Sequence, residues 1–186
     1  MRQPVEPRHA YRLLNHGPTT ILSAAADGRA NAMAASWVMA IDFEPPRLVF
    51  VMSDDTFTHT LITRSRECVV NIPCVRQLEL CYALGTTHGH DGDKLARLGV
   101  VTSPAVHVGA PLVEGCVAWL ECRLRAEPAI EAAYAMYVAD VVAAWACDLA
   151  FAQGRWLLAD PALRTIHHQT RGEFFAQGER LVARQP

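Results

Sequence analysis

Residues 48–52, Leu-Val-Phe-Val-Met, form an unbroken apolar run of strand length, and they predict a strand buried on both faces. Residues 19–25 read as another strand. Asp27-Gly28 after them is a strong two-residue hairpin signal leading into a strand over residues 31–37. Phe57, Leu61 and Ile62 stand at helical spacing. Asp54, Asp55 and Thr56 precede them as start signals, with the two aspartates as the expected caps. A strand over residues 68–72, a helix over residues 75–83 and a long alternating strand over residues 112–125 follow. Near the N-terminus, residues 8–15 predict a short amphipathic helix with Tyr11, Leu13 and Leu14 on its apolar side. In residues 129–150 the positions Ile130, Ala133, Tyr134, Tyr137, Val141 and Ala144 fit a helical stripe, and the Ala-rich composition favours helix.

The segment Asn31-Ala32-Met33-Ala34-Ala35-Ser36-Trp37 departs from ordinary strand chemistry. Strands favour Val, Ile, Tyr and Phe, which pack on a pleated surface. A row of alanines instead lets a flat, bulky group or another backbone come close. Ser36 either bonds its own backbone or faces a ligand. Trp37 reads more readily as core packing than as a ligand's neighbour. Downstream, Phe43-Glu44-Pro45-Pro46 leads into the apolar run, Ser53 ends it, and Thr58-His59-Thr60 fall in the first turn of the expected helix. Strand, strand and helix N-terminus is a geometry that holds a planar ring against backbone and a phosphate at the helix end. Thr58, His59 and Thr60 are either ordinary first-turn residues or present hydroxyls, amides and an imidazole to that phosphate. Asp54 and Asp55 oppose it unless they cap the helix and turn away.

In this order, Asn-x-Met-x-x-Ser-Trp, Phe-x-Pro-Pro, His59-Thr60 and Val70-Asn71-Ile72-Pro73 resemble the flavin reductase-like family, and within it the flavoredoxin branch. Residues 85–95, Gly-Thr-Thr-His-Gly-His-Asp-Gly-Asp-Lys-Leu, are similar to the family's Gly-rich Asp-Lys-Phe segment. Ala110-Pro111-Leu112 and Leu120-Glu121-Cys122 are similar to its later strand. The resemblance runs from residue 19 to 124 and, more weakly, to 142. It implies an FMN-binding split β-barrel, mainly β with flanking helices, filling residues 1–186 as a single domain. It also implies a homodimer with FMN in a groove near the subunit interface. It places a strand, not a helix, from about Tyr134 onward, where Ala139-Asp140-Val141 stands for the family's Gly-Glu-Val. The implied cofactor contacts are Met33, Ala34, Ala35, Ser36 and Trp37 toward the isoalloxazine, and Ser53, Thr58, His59, Thr60 and Lys94 toward the phosphate.

The activity so implied is NAD(P)H-dependent flavin reduction, hydride passing from the nicotinamide to flavin N5 and reduced flavin serving an oxygenase or another acceptor. FMN carries that chemistry, and the protein binds, orients and tunes it. With no Gly-x-Gly-x-x-Gly segment in the sequence, the nicotinamide is expected directly over the flavin rather than in a Rossmann domain. Two other readings stand beside it. One is a flavoredoxin-like electron carrier exchanging electrons with a protein partner. The other is a binding module of the same fold for another planar cofactor such as haem.

Composition adjusts this picture in a few places. A chain of 186 residues fits one domain with a real core. Its 51% hydrophobic content and mean hydropathy of +0.10 suggest an apolar surface used for self-association. A net charge of −2 supplies no basic patch for nucleic acid. The N-terminal segment has no apolar signal region, and the longest apolar tract, residues 132–145, is broken by Asp140 and too short to span a bilayer, so a cytoplasmic protein is expected. Six cysteines without Cys-x-x-Cys or zinc spacing read as buried thiols. His88, His90, Asp91 and Asp93 tempt a metal reading, but no second ligand cluster accompanies them, and a solvated Gly-rich loop is expected. His90 stands where relatives often carry a basic residue. Lys94 is either a phosphate partner or a solvated residue of a short amphipathic helix. His167 and His168 point to opposite faces if extended and read as structural.

Overall fold

The computed structural model describes residues 2–8, 10 and 17–183. In chain order its elements are β1 (Arg2–Val5), β2 (Thr20–Ala26), β3 (Arg29–Ala35), β4 (Val38–Phe43), β5 (Pro46–Val51), α1 (Phe57–Ser65) and β6 (Glu67–Ile72). These are followed by α2 (Leu78–Thr86), α3 (Lys94–Arg97), β7 (Thr102–Ser103), β8 (Leu112–Val113), β9 (Ala118–Leu124), α4 (Pro128–Tyr134) and β10 (Met136–Cys147). Two hairpins end the chain, β11 (Phe151–Ala152) with β12 (Arg155–Trp156), and β13 (Ile166–Thr170) with β14 (Glu173–Ala176).

The main sheet is antiparallel and runs β3-β2-β6-β9-β10-β5-β4. β10 organises it. One side pairs with β9 along most of its length; the other takes β5 beside Met136–Asp140 and β1 beside Ala144–Cys147. The sheet therefore curls round an interior where Leu22, Leu48, Phe50, Val70 and Leu120 meet, and Leu61 and Ile62 of α1 pack into the same cluster. Successive side chains of a strand face opposite ways, so Ile21 and Val69 go to a second, outer cluster with Leu84 of α2, Leu95 of α3 and Trp119. The result is the mainly β split barrel with flanking helices that the resemblance implies.

The β2–β3 hairpin forms where Asp27-Gly28 predicts it, both residues taking positive φ (52° and 73°) as the tight turn needs. Other expectations are corrected. The third strand stops at Ala35, and Trp37 is 73% exposed rather than in the core. Thr56, not Asp54 or Asp55, caps α1, its hydroxyl accepting the His59 N–H. The helix expected at 75–83 is a 3-10 turn over Val75–Gln77 continuing into α2. The strand expected at 112–125 is two strands, interrupted at Gly115, which lies at φ 82°. In residues 129–150 only a short helix forms, started by Pro128 and ended by Ala135 at φ 50°, and β10 follows it as the resemblance requires. The helix expected at residues 8–15 falls outside the described residues apart from Arg8 and Ala10. β1, β4 and the two C-terminal hairpins are absent from the sequence reading. No described helix is long and apolar enough to cross a membrane.

Five cysteines are buried and Cys147 is half-buried. Two buried polar groups pin the layers. The Asn71 amide donates to the Ile21 carbonyl (2.8 Å) and the Ser23 hydroxyl (2.9 Å) and accepts the Val113 N–H (2.8 Å). Glu121, fully buried in β9, accepts the backbone N–H groups of Val106 and His107 and the Trp145 indole N–H. A buried carboxylate is tolerable only when so satisfied. Glu121→Leu removes the acceptor of the Val106 and His107 N–H groups and of the Trp145 indole N–H, at a cost on the order of 3 kcal/mol. Urea denaturation should show the midpoint falling accordingly; a loss under about 0.5 kcal/mol, the scale of an ordinary surface change, contradicts this role.

Candidate functional site

β3 is an edge of the sheet, and a groove runs along it. The Lys94 ammonium donates to the Ala32 carbonyl (2.9 Å), which therefore points away from β2. Backbone groups of alternate strand residues share a side, so Ala34 turns its N–H and C=O to the same open edge. The first stretch of the groove, about 350 Å³, lies between Asn31, Met33 and Ala34, the start of α1 at Thr56, Phe57 and Thr58, and residues 84–89 with Lys94. The second, about 450 Å³, continues past Ala34, Gly85 and Thr86, which line both, to Ser36, Tyr82 and the β13–β14 hairpin.

Small residues set the width. A Cβ on Gly85 would stand 3.3 Å from the Ala34 Cβ, and one on Gly89 would stand 2.5 Å from the Asn31 Nδ2. Only glycine lets the loop after α2 close over Asn31. The Asn31 amide donates to the Thr58 hydroxyl at 2.9 Å, while its Oδ1, buried in the groove wall, has no hydrogen-bond partner. Thr58 accepts that bond, and helix geometry leaves the first amides of α1 without intrahelical acceptors. The groove thus offers an orphan acceptor, free amides at a helix N-terminus and an edge-strand backbone.

Lys94 is 2% exposed. Its ammonium bridges the Ala32 carbonyl of β3 and the Leu84 carbonyl (2.7 Å) in the last turn of α2. Desolvation, with a smaller push from Arg97, lowers its pKa from 10.5 to about 8. Of its two readings, the solvated lysine is overturned; the side chain is a buried tie that also lines the groove.

Of the other residues singled out by sequence, Met33, Ala34 and Thr58 line the first stretch, and Ala34 and Ser36 the second. Ala35 faces the barrel core, its carbonyl accepting the Thr20 hydroxyl at 2.8 Å. Trp37 lies just past the end of β3, its side chain exposed. Ser53 is in the exposed turn before α1, its carbonyl bonded by Thr56. His59 turns to the Tyr137 hydroxyl (2.7 Å), and burial lowers its pKa against the opposing pull of Asp54. The Thr60 N–H bonds the Thr56 carbonyl, and the residue does not line the groove. His90 Nε2 bonds the Asp55 carbonyl at 2.9 Å, and Asp93 caps α3. Among the described residues no three His, Cys, Asp or Glu side chains gather as a metal site. Sequence reasoning missed the roles of Asn31, Gly85 and Gly89, which sat inside quoted motifs. It also missed His168, Arg171 and Phe174, which no local signal ties to the groove.

The family profile described as "Flavin reductase like domain" matches residues 12–163. A solved FMN-binding domain of a flavin reductases-like enzyme from Shewanella baltica OS155 superposes with a TM-score of 0.96 at 38% identity, covering 99% of this chain and 98% of that one. An uncharacterised protein of Escherichia coli K12, YddH, is 38% identical over 183 residues, 97% of each chain. The flavoredoxin of Desulfovibrio vulgaris Miyazaki F shares the fold, with a TM-score of 0.78 at 23% identity over 90% of each chain.

Lys94→Met removes the donor for two buried carbonyls and should cost about 1–3 kcal/mol. The fold depresses this lysine's pKa, so between about pH 8 and 10.5 the unfolded chain holds more of its protons than the native one. The penalty of burying the charge is complete below pH 8 and is relieved as pH rises through that window. The stability of wild type relative to Lys94→Met should therefore increase from pH 8 to 10.5 in paired urea titrations, and a pH-independent difference contradicts it.

Proposed function

Since the chain belongs to the flavin reductase-like family, we propose that it binds FMN along β3 and works as an NAD(P)H-dependent flavin reductase. The observation that carries this reading is the groove's unsatisfied polar edge. A flavin fits each element of it. Its ring N–H or ribityl hydroxyls match the buried Asn31 Oδ1, its ring carbonyls and nitrogens match the Ala34 backbone, and its phosphate matches the free amides of Phe57 and Thr58. When bound, FMN would supply the two-electron chemistry between a nicotinamide donor and an oxygenase or another acceptor. The chain's own part is to hold that ring at the distance its small residues allow. Lys94 keeps α2 against β3, and Ser36 closes the strand beside the ring. His59, held toward neutrality by burial, contributes no fixed charge to the phosphate.

We propose further that the protein is a cytoplasmic homodimer. Met39, Ile41 and Phe43 expose 59%, 45% and 64% of their surface at alternate positions of edge strand β4, and Trp37 adds 73% just ahead of them. An exposed edge with an apolar row invites pairing unless something covers it, and a two-fold partner is the commonest cover.

Purified protein reconstituted with FMN should show flavin absorbance that NADH or NADPH bleaches without a partner protein. Bleaching only through an added protein partner marks an electron carrier, and a Soret band marks a haem module. FMN should bind at least a hundredfold tighter than riboflavin, because two charge-assisted hydrogen bonds are worth roughly 1.5–3 kcal/mol each. Gly89→Ala, which pushes Asn31 off Thr58, should weaken FMN about tenfold. Equal affinity for the two flavins removes the phosphate from α1.

Light scattering should give a dimer at micromolar concentration, and Met39→Lys should shift it to monomer; a monomeric wild type contradicts the assembly.

A further inference from the structure

Past Ala34 and Ser36, which the flavin reading uses, the second stretch of the groove holds chemistry that it leaves unused. Three rings wall it: Tyr82 of α2, His168 of β13 and Phe174 of β14. Phe174 meets Tyr82 edge-on, with centroids 6.5 Å apart and planes at 90°, and meets His168 at 5.0 Å and 60°. The hairpin tip is seated on the same wall. A Cβ on Gly172 would lie 3.6 Å from the Tyr82 Cζ, and the His168 Nε2 bonds the Arg171 carbonyl at 2.9 Å. A carbonyl only accepts, so this bond assigns the proton to Nε2 and braces the imidazole against the turn. Arg171, in the turn at φ 48°, lines the cavity, and among the described residues it makes no ion pair within 4.0 Å. No Asp or Glu lines this stretch among the described residues.

We propose that this stretch binds a small aromatic carboxylate as a second ligand beside the flavin. Edge-to-face rings leave a pocket whose walls favour another ring. A guanidinium without a carboxylate of its own recognises one through its planar fork. The volume, about 450 Å³, suits a small ring bearing one acidic group. The proposal rests on the neighbouring stretch being the flavin site, and it commits the carboxylate to Arg171.

Benzoate titrated calorimetrically into FMN-loaded protein tests it. Saturable binding is expected. Arg171→Leu should weaken it roughly tenfold to a hundredfold, and Arg171→Lys, which keeps the charge but not the fork, should recover part of that loss. Benzamide, the neutral isostere, should bind wild type no better than benzoate binds Arg171→Leu. Thermal melts establish that both variants are folded. Benzoate binding indifferent to Arg171→Leu overturns the proposal. So does competition, in which FMN displaces benzoate, since the stretch then belongs to the flavin. Reduced nicotinamide mononucleotide binding through Arg171 where benzoate fails to bind overturns it in favour of a nucleotide site. The same titration on flavin-free protein separates the two readings: absence of FMN binding sinks the flavin assignment, whereas benzoate binding that ignores Arg171 sinks this one alone.

Discussion

The groove exists because a buried lysine has carbonyls for partners. Lys94 reaches from α3 to the Ala32 carbonyl on β3 and the Leu84 carbonyl near the end of α2. The last carbonyls of a helix carry partial negative charge, which makes that end a favourable place for a cation. The cation is nonetheless taken out of water, and that desolvation, with a smaller push from Arg97, lowers its pKa. The contact fixes the distance between an edge strand and a helix end that share no backbone ladder. Gly85 against Ala34 and Gly89 against Asn31 then determine how closely the surfaces approach.

The groove and the exposed apolar row are joined by two residues. β3 ends at Ala35 and β4 begins at Val38, so Ser36 lines the groove while Trp37, next to it, stands in solvent. The Trp37 carbonyl accepts the Val51 N–H at 3.0 Å, which anchors the link to β5. A partner seated on β4 would therefore abut the wall of the groove, two residues away along the chain.

The fold was legible in the sequence where local chemistry is strong. Asp27-Gly28 can make few turns other than the one found, and the apolar run at 48–52 has the length of a buried strand. β10 was legible only through resemblance. Its alanines favour helix locally, and strand wins because β9, β5 and β1 supply ladder partners from three distant parts of the chain. β4 was hidden for another reason: its large apolar residues Met39, Ile41 and Phe43 point outward while Val38 and Ala40 face the core, so apolar residues on both faces leave no alternation to detect. The site was half legible. The motif around Asn31–Trp37 marked the strand that borders the groove, but period two sends Ala35 to the core and Ala34 to the groove. The burial of Lys94 was not legible, since it depends on α2 and β3 meeting. The hairpin at 166–176 reaches the groove through tertiary packing alone.

Asn31 shows what the site demands of the fold. Without a ligand the buried Oδ1 keeps the full cost of leaving water, with nothing in return. An apolar side chain of similar size would give a tougher empty protein. Keeping the amide makes the empty chain the weaker of its two forms, so any molecule that donates to Asn31 gains part of its affinity by relieving a frustration already built into the barrel. Resistance to unfolding then becomes a function of ligand supply. Cellular proteolysis, which acts on the transiently open form, would remove empty copies ahead of filled ones.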